Sequence, residues 1–104
     1  MGRVVRRAGE FERVRQIRAA HRDAGGLWFD TAVRTFGTRV HDVVYAGRYF
    51  VTSEADPLGV TYDGERRFTV RCVRDDLTIA TRGSFMEFET AAEAHAAARE
   101  RSTR

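Results

Sequence analysis

The sequence predicts a single α+β domain in which helices pack on an antiparallel sheet. Helical patterns lie near the two ends of the chain, and the stretch between them alternates apolar and polar residues between short turns. Strands joined by short turns pair antiparallel, and we expect the flanking helices to lie on one face of the sheet. The length of 104 residues is that of about one domain. We expect a flexible basic leader over residues 1–9 and one folded unit over residues 10–104.

The first helix is predicted over residues 10–24, because core-facing residues recur there at helical spacing. They are Val14, Ile17, His21 and Ala24. The glycine pair at 25–26 stops the pattern as a C-cap does. A short second helix is expected next, with Asp30 or Thr31 as its cap and Gly37 as its stop. The preceding aromatic residues, Trp28 and Phe29, are expected to pack in the core.

About five strands are predicted, forming a meander between the helices. They cover residues 38–45, 48–53, 66–74, 77–81 and 85–88. In the third strand, Phe68, Val70 and Cys72 point to one face, and Arg67, Thr69 and Arg71 point to the other. If helices cover one face only, these arginines lie on an exposed platform. That open face could also pair with a second copy of the chain.

The last helix is predicted over residues 91–101, packed on the sheet. Thr90 and Glu93 have the spacing of a capping box, in which the side chain of each residue accepts the backbone N–H of the other. The alanines that follow are strong helix formers and allow a close approach to the strands.

Composition excludes several classes of protein. No apolar run approaches the ~20 residues that span a bilayer, and no apolar stretch follows the N-terminal arginines as in a secretory signal. The lone Cys72 favours a reducing compartment, so the cytoplasm is expected. No cofactor fingerprint or metal-ligand spacing occurs. We therefore expect no cofactor, no metal and no enzymatic activity.

All 18 basic residues are arginines, a bias that a GC-rich genome explains, and the informative feature is that positive charge concentrates at one end of the chain. Residues 1–22 hold seven arginines and two glutamates, whereas the whole chain carries only +3. Arg15, Arg18 and Arg22 share one side of the first helix, and Arg67 and Arg71 share one face of a strand. Guanidinium groups suit phosphate and carboxylate partners. The alternative for both arrays is an ordinary solvated surface.

A pattern over residues 28–54 resembles a family of short uncharacterised proteins found in bacteriophages and actinobacterial genomes. The matching residues are Trp28-Phe29, Asp30-Thr31, Arg34, Phe36, Thr38-Arg39 and Tyr49-Phe50-Val51-Thr52-Ser53-Glu54. Arg34 and Arg39 within this pattern are further candidate binding residues. The resemblance implies a small accessory protein of phage or mobile-element origin. It implies no activity.

Three functions remain open from the sequence. The leading hypothesis is a non-catalytic protein that binds and modulates a host macromolecule, above all a host protein, through its arginines. The second is nucleic-acid binding by the arginine-rich first helix. The third is a small ribonuclease-type toxin, for which His41 and Tyr49 are the candidate residues. No membrane partner is expected.

Overall fold

The computed structural model describes residues 7–103 of the chain. In chain order the elements are α1 (Val14–Asp23), α2 (Asp30–Phe36), β1 (Arg39–Val40), β2 (Tyr49–Glu54), a 3-10 turn (Thr61–Gly64), β3 (Arg67–Val73), β4 (Ile79–Thr81) and α3 (Ala91–Arg101). The four strands form one antiparallel sheet in the order β1-β2-β3-β4. The predicted α+β class and the meander are confirmed.

Helices cover both faces of the sheet, so the expectation of a single covered face is wrong. Phe50 and Val51 are neighbours on β2, and both are fully buried. Successive side chains of a strand point to opposite faces, so burial of both requires two covered faces. Phe50 packs with α1, whereas Val51 packs with α3. No open sheet face is therefore present for a second copy within the described residues.

The helix α1 packs its apolar side on Phe50 through Val14, Ile17 and Ala20. His21 is half-buried, and its Nδ1 lies 2.8 Å from the carbonyl oxygen of Leu77. Ala24, predicted to face the core, is exposed because α1 ends at Asp23. The predicted stripe is thus confirmed at Val14 and Ile17, whereas Ala20 and not Ala24 is buried at its end. The helix also begins at Val14, later than the predicted start at residue 10.

The helix α3 lies on the other face and begins as predicted. The Thr90 hydroxyl accepts the backbone N–H of Glu93 at 3.2 Å. Ala94 and Ala98 are fully buried against the strands. Small side chains at these positions allow the helix axis to approach the sheet closely.

The predicted fifth strand, at 85–88, forms only a single bridge, between Phe68 and Phe88. Met86 takes a left-handed backbone conformation with φ of 57°. Its N–H donates to the Thr69 hydroxyl, and the Arg67 side chain donates to the carbonyl oxygens of Met86 and Glu87. Side chains thereby satisfy backbone groups that a strand partner would otherwise satisfy.

The first strand is also shorter than the predicted range of residues 38–45. Only Arg39 and Val40 form a ladder, with Ser53 and Thr52 as their partners. Beyond them the chain turns, and Asp42 Oδ1 accepts the N–H of Val14 at 3.1 Å. This bond joins the start of α1 to the end of β1. Of the predicted leader, residues 1–6 lie outside the described residues.

Candidate binding groove

A groove lies between α1, α2 and β1. Its main cavity has a volume of about 500 Å³ and adjoins a smaller one of about 200 Å³ that shares Arg18, Trp28 and Val40 with it. We call the combined cleft the arginine groove. The residues that line it include Arg15, Arg18, Trp28, Phe29, Asp30, Val33, Arg34, Thr38, Val40 and Asp42.

The floor of the arginine groove is aromatic because of the turn between α1 and α2. Gly25 adopts a φ of 89°, which reverses the chain after α1. Trp28 then stacks on Phe50 with ring centroids 6.0 Å apart and meets Phe29 edge-on at 5.0 Å. Only 6% of Trp28 remains exposed. The floor is therefore rigid and apolar.

Three arginines from two helices surround this floor. Arg15 and Arg18 lie on α1 and Arg34 lies on α2, and all three are exposed. Their side chains make no ion pair or hydrogen bond with another residue between positions 7 and 103. Elsewhere, Arg48, Arg66, Arg67, Arg71 and Arg101 all bind protein oxygen atoms. The groove arginines are free to bind an external anion.

Two carboxylates moderate this positive charge. Asp30 begins α2, and Asp42 lies at the far end of the groove, where it binds the Val14 N–H. With three arginines and two aspartates, the formal charge of the lining is +1. The groove is thus suited to a ligand of small negative charge.

Thr38 lines the groove and carries a buried hydroxyl. The residue is 7% exposed, and its Oγ1 is the one buried side-chain oxygen or nitrogen in the described chain that makes no hydrogen bond. A buried hydroxyl without a partner costs roughly 1–3 kcal/mol. Sequence reasoning did not single out Thr38, because its isolation depends on how the surrounding elements pack.

A second cleft of about 500 Å³ lies on the other side of Phe29. It is lined by His21, Leu27, Phe29, Asp30, Thr31, Ala32, Thr78 and Ile79. It contains no arginine, and the His21 ring nitrogen inside it already contacts the Leu77 carbonyl oxygen. The arginine groove is therefore the stronger candidate for binding.

The structure separates the other four predicted arginines from the groove. Arg22 and Arg39 are exposed but do not line it. Arg22 occupies the last turn of α1, where a positive charge is favourable near the helix C-terminus. The predicted ridge on α1 is thus exposed, with only its first two members facing the groove.

Arg71 does not lie on an exposed platform, which corrects the prediction for the third strand. It donates to Glu54 Oε2 at 3.0 Å, to Thr52 Oγ1 at 2.9 Å and to Thr81 Oγ1 at 2.7 Å. The guanidinium also lies 5.3 Å from the centre of the Phe29 ring. The platform is covered because the Phe29 and Phe85 rings lie against Arg71 and Met86 bonds to Thr69 on the same face. Arg71 is therefore part of the framework.

Arg67 is half-buried and is likewise engaged within the chain. Besides its bonds to the carbonyl oxygens of Met86 and Glu87, its guanidinium stacks 3.9 Å from the centre of the Tyr62 ring. The expectation that Arg67 and Arg71 are open to solvent is wrong. Whether any of the seven predicted arginines binds a partner stays a prediction.

A cluster of His41, His95 and Tyr45 connects the sheet to α3. His41 Nδ1 lies 3.1 Å from His95 Nε2, and the Tyr45 hydroxyl lies 2.8 Å from His95 Nδ1. Burial is the main cause that lowers the pKa of both histidines. The positive charge of Arg66 lowers the pKa of His41 further while Glu54 opposes it, and His41 and Arg99 lower the pKa of His95.

Sequence reasoning missed this cluster because its members share no spacing. Strand alternation assigns His41 to the face opposite Val40, but only the docking of α3 brings His95 to it. His41 therefore contacts His95, and no hydrogen bond joins it to Tyr49 among the described residues. The ribonuclease hypothesis for His41 and Tyr49 stays a prediction. In residues 7–103, no three or more histidine, cysteine or acidic residues are arranged to hold a metal ion.

The fold and the groove define a small α+β domain with helices on both sheet faces and a cationic, aromatic-floored cleft. A family model matches residues 13–99, and the chain belongs to this family, DUF7447, a family of unknown function. No curated protein and no solved structure matches the chain. Across residues 7–103, none of the helices has the length and apolar content that crossing a bilayer requires.

Proposed function

We propose that the chain is a non-catalytic binding protein that engages a partner protein through the arginine groove. The observation that carries this proposal is the set of three unpaired arginines around an apolar floor. Arginine and tryptophan are enriched among the residues that dominate protein interfaces. Val33, which is 49% exposed beside the aromatic floor, supplies apolar contact area, and the surrounding guanidinium groups supply specificity.

A protein partner suits the groove better than a nucleic acid does. Nucleic-acid surfaces gain most of their affinity from arrays of cations that neutralise successive phosphates. Asp30 and Asp42 interrupt such an array and would repel a continuous polyanion. An acidic and apolar protein segment matches both the charge and the floor.

The proposal extends to the biological setting. The chain acts as an accessory protein of a phage or other mobile element and modulates, as an inhibitor for example, a protein of the host cytoplasm. The support is the resemblance of residues 28–54 to short proteins of phage and actinobacterial origin.

Affinity capture from a host lysate tests the proposal with matched charge variants. Arg18→Gln/Arg34→Gln removes two charges from the groove, and Arg22→Gln/Arg82→Gln removes two exposed charges outside it. We expect the same protein to be captured by the unmodified chain and by the second variant, but not by the first. Equal capture by all three would contradict the proposal.

Nucleic-acid binding is the second candidate, supported by the exposed ridge of Arg15, Arg18 and Arg22 along α1. Engagement of about three phosphates predicts a slope near −2 to −3 for log affinity against log salt. In this case nuclease treatment of the lysate abolishes capture, and Arg22→Gln weakens binding as much as Arg18→Gln. Failure of filters to retain labelled DNA or RNA with the protein at low salt would exclude it.

A further inference from the structure

We propose that the inner part of the arginine groove is a subsite for a single carboxylate, held by Arg18, Arg34 and the hydroxyl of Thr38. Its ligand is an aspartate or glutamate side chain of a partner protein, flanked by apolar residues. The inference rests on the proposed function and specifies the chemistry of the partner. It also assigns a role to Thr38, which neither charge nor aromatic character identified as a candidate binding residue.

Thr38 is the first argument, because its isolation is exceptional in this fold. The other buried hydroxyls on the sheet are bonded: Thr52 and Thr69 to Glu54, and Ser53 to Arg66. Thr38 alone is buried without a partner in the described chain, and it lines the groove. Rotation of the buried Thr38 side chain towards the cavity would let a carboxylate oxygen accept the hydrogen bond that no protein atom accepts.

The two guanidinium groups are the second argument. Arg18 on α1 and Arg34 on α2 line the same cavity as Thr38 from different helices. Neither binds another described side chain, so an anion would gain charge-assisted hydrogen bonds without breaking existing ones. Arginine presents a planar pair of donors, which suits the geometry of a carboxylate.

The charge balance limits the ligand to a small anion. The lining carries +1 once Asp30 and Asp42 are included, which one carboxylate neutralises. A phosphate dianion or a phosphodiester chain would bring more negative charge close to Asp30. The carboxylate is therefore the favoured ligand chemistry.

The apolar lining defines what flanks that carboxylate. Trp28 and Phe29 form the floor, and Val33 on α2 is 49% exposed beside them. Burial of a neighbouring apolar side chain there would add affinity in proportion to its area. Residues 1–6 and 104 include Arg3, Arg6 and Arg104 and no acidic side chain, so none of these residues is the ligand.

Trp28, the one tryptophan of the chain, makes the subsite measurable by fluorescence. The probe is the blocked peptide acetyl-Gly-Leu-Glu-Phe-Gly-amide, titrated to millimolar concentration against the full chain. We expect a saturable change in Trp28 emission and binding at least about tenfold weaker for the peptide with Gln in place of Glu, since charged hydrogen bonds are lost. Inorganic phosphate is the second arm and should bind more weakly than the Glu peptide.

The Thr38→Val variant should bind the Glu peptide about tenfold more weakly, and Thr38→Ser should restore binding. The melting temperature of Thr38→Val should not fall, because the removed hydroxyl has no partner. Equal binding of the Glu and Gln peptides, tighter binding of phosphate, or an unaffected Thr38→Val variant would each overturn the subsite.

The experiments distinguish failure of the carboxylate subsite from failure of the proposed protein-binding function. If the groove variant abolishes capture of a protein but no peptide perturbs Trp28, the carboxylate subsite is wrong and the binding function stands. If the Glu peptide binds as described but capture does not depend on the groove, the subsite stands and the protein-partner function is wrong.

Discussion

Arg71 on β3 forms an ion pair of 3.0 Å with Glu54 on β2, and Glu54 is wholly buried. Thr52 and Thr69 donate to the two carboxylate oxygens of Glu54 at 2.6 and 2.7 Å. The carboxylate is thus enclosed by donors from two strands. This network lies on the sheet face that α1, Phe29 and the segment at 85–86 cover. Arg71, a predicted binding residue, is therefore a structural one.

Removing the arginine of this pair should destabilise the fold strongly. In Arg71→Met the Glu54 charge stays buried and loses its cation, and breaking a buried pair in this way costs about 3–5 kcal/mol. The exposed neighbour Arg74 provides the control, with a change of within about 0.5 kcal/mol for Arg74→Met. Urea unfolding at constant m-value measures both. Similar losses of unfolding free energy for the two variants would show that the Arg71–Glu54 pair does not stabilise the fold.

Two buried threonines should respond oppositely to the same substitution. Thr69→Val deprives both Glu54 Oε1 and the Met86 N–H of a partner, at about 1–3 kcal/mol for each group left unsatisfied. Thr38→Val removes a hydroxyl that has no partner, so the free energy of unfolding should be unchanged or higher. Chemical denaturation compares them directly, and a clear loss for Thr38→Val would mean that its hydroxyl is satisfied in solution.

The contact between His41 and His95 should make stability depend on pH. Their pKa values are lowered from 6.5 in the folded chain, chiefly by burial, so the unfolded chain binds more protons below that pH. The free energy of unfolding should therefore fall as the pH drops from 7.5 towards 5.5. The lowered pKa of Glu87 acts only at lower pH, near and below its ordinary value of 4.5.

The variant His95→Gln isolates this effect, because glutamine stays neutral throughout. The difference in unfolding free energy between pH 7.5 and pH 5.5 should be smaller for His95→Gln than for the unmodified chain. An unchanged difference would show that the histidine pair is not the source of the acid sensitivity.

Two glycines with positive φ should differ in their tolerance of alanine. Gly25 and Gly47 have φ of 89° and 70°, so a side chain at either costs about 1–2 kcal/mol in backbone strain. A Cβ at Gly25 meets open space, but one at Gly47 overlaps the backbone carbonyl of Gly9. Gly47→Ala should therefore lose clearly more stability in urea than Gly25→Ala. Equal losses would indicate that residue 9 does not pack on this turn.

The groove arginines should be dispensable for folding. Arg18 and Arg34 make no ion pair in the described chain, so Arg18→Gln/Arg34→Gln should change the free energy of unfolding by no more than about 0.5 kcal/mol. Thermal denaturation followed by circular dichroism measures this. A large loss would mean that the pair supports the fold, and the binding tests with this variant would then need single substitutions.

Local patterns in the sequence were enough to predict α1, α2 and α3, the main strands and the exposed ridge on α1. Such features depend on residues a few positions apart: the Thr90 cap bonds to Glu93, and Gly37 ends α2 through its own backbone conformation. Alternation along β3 correctly divided its side chains between two faces. It could not say what covers each face.

Only the tertiary structure decided which of those surfaces stay open, because burial depends on elements distant in the chain. Phe29 and the segment at 85–86 enclose Arg71 with Glu54 on one face, and docking of α3 on the other brings His95 to His41. The same packing leaves Arg18, Arg34 and Thr38 around one cavity. Residue type and spacing determine which face of its own helix or strand a side chain occupies. The positions of the other elements determine whether that side chain bonds within the fold or stays available to an external ligand.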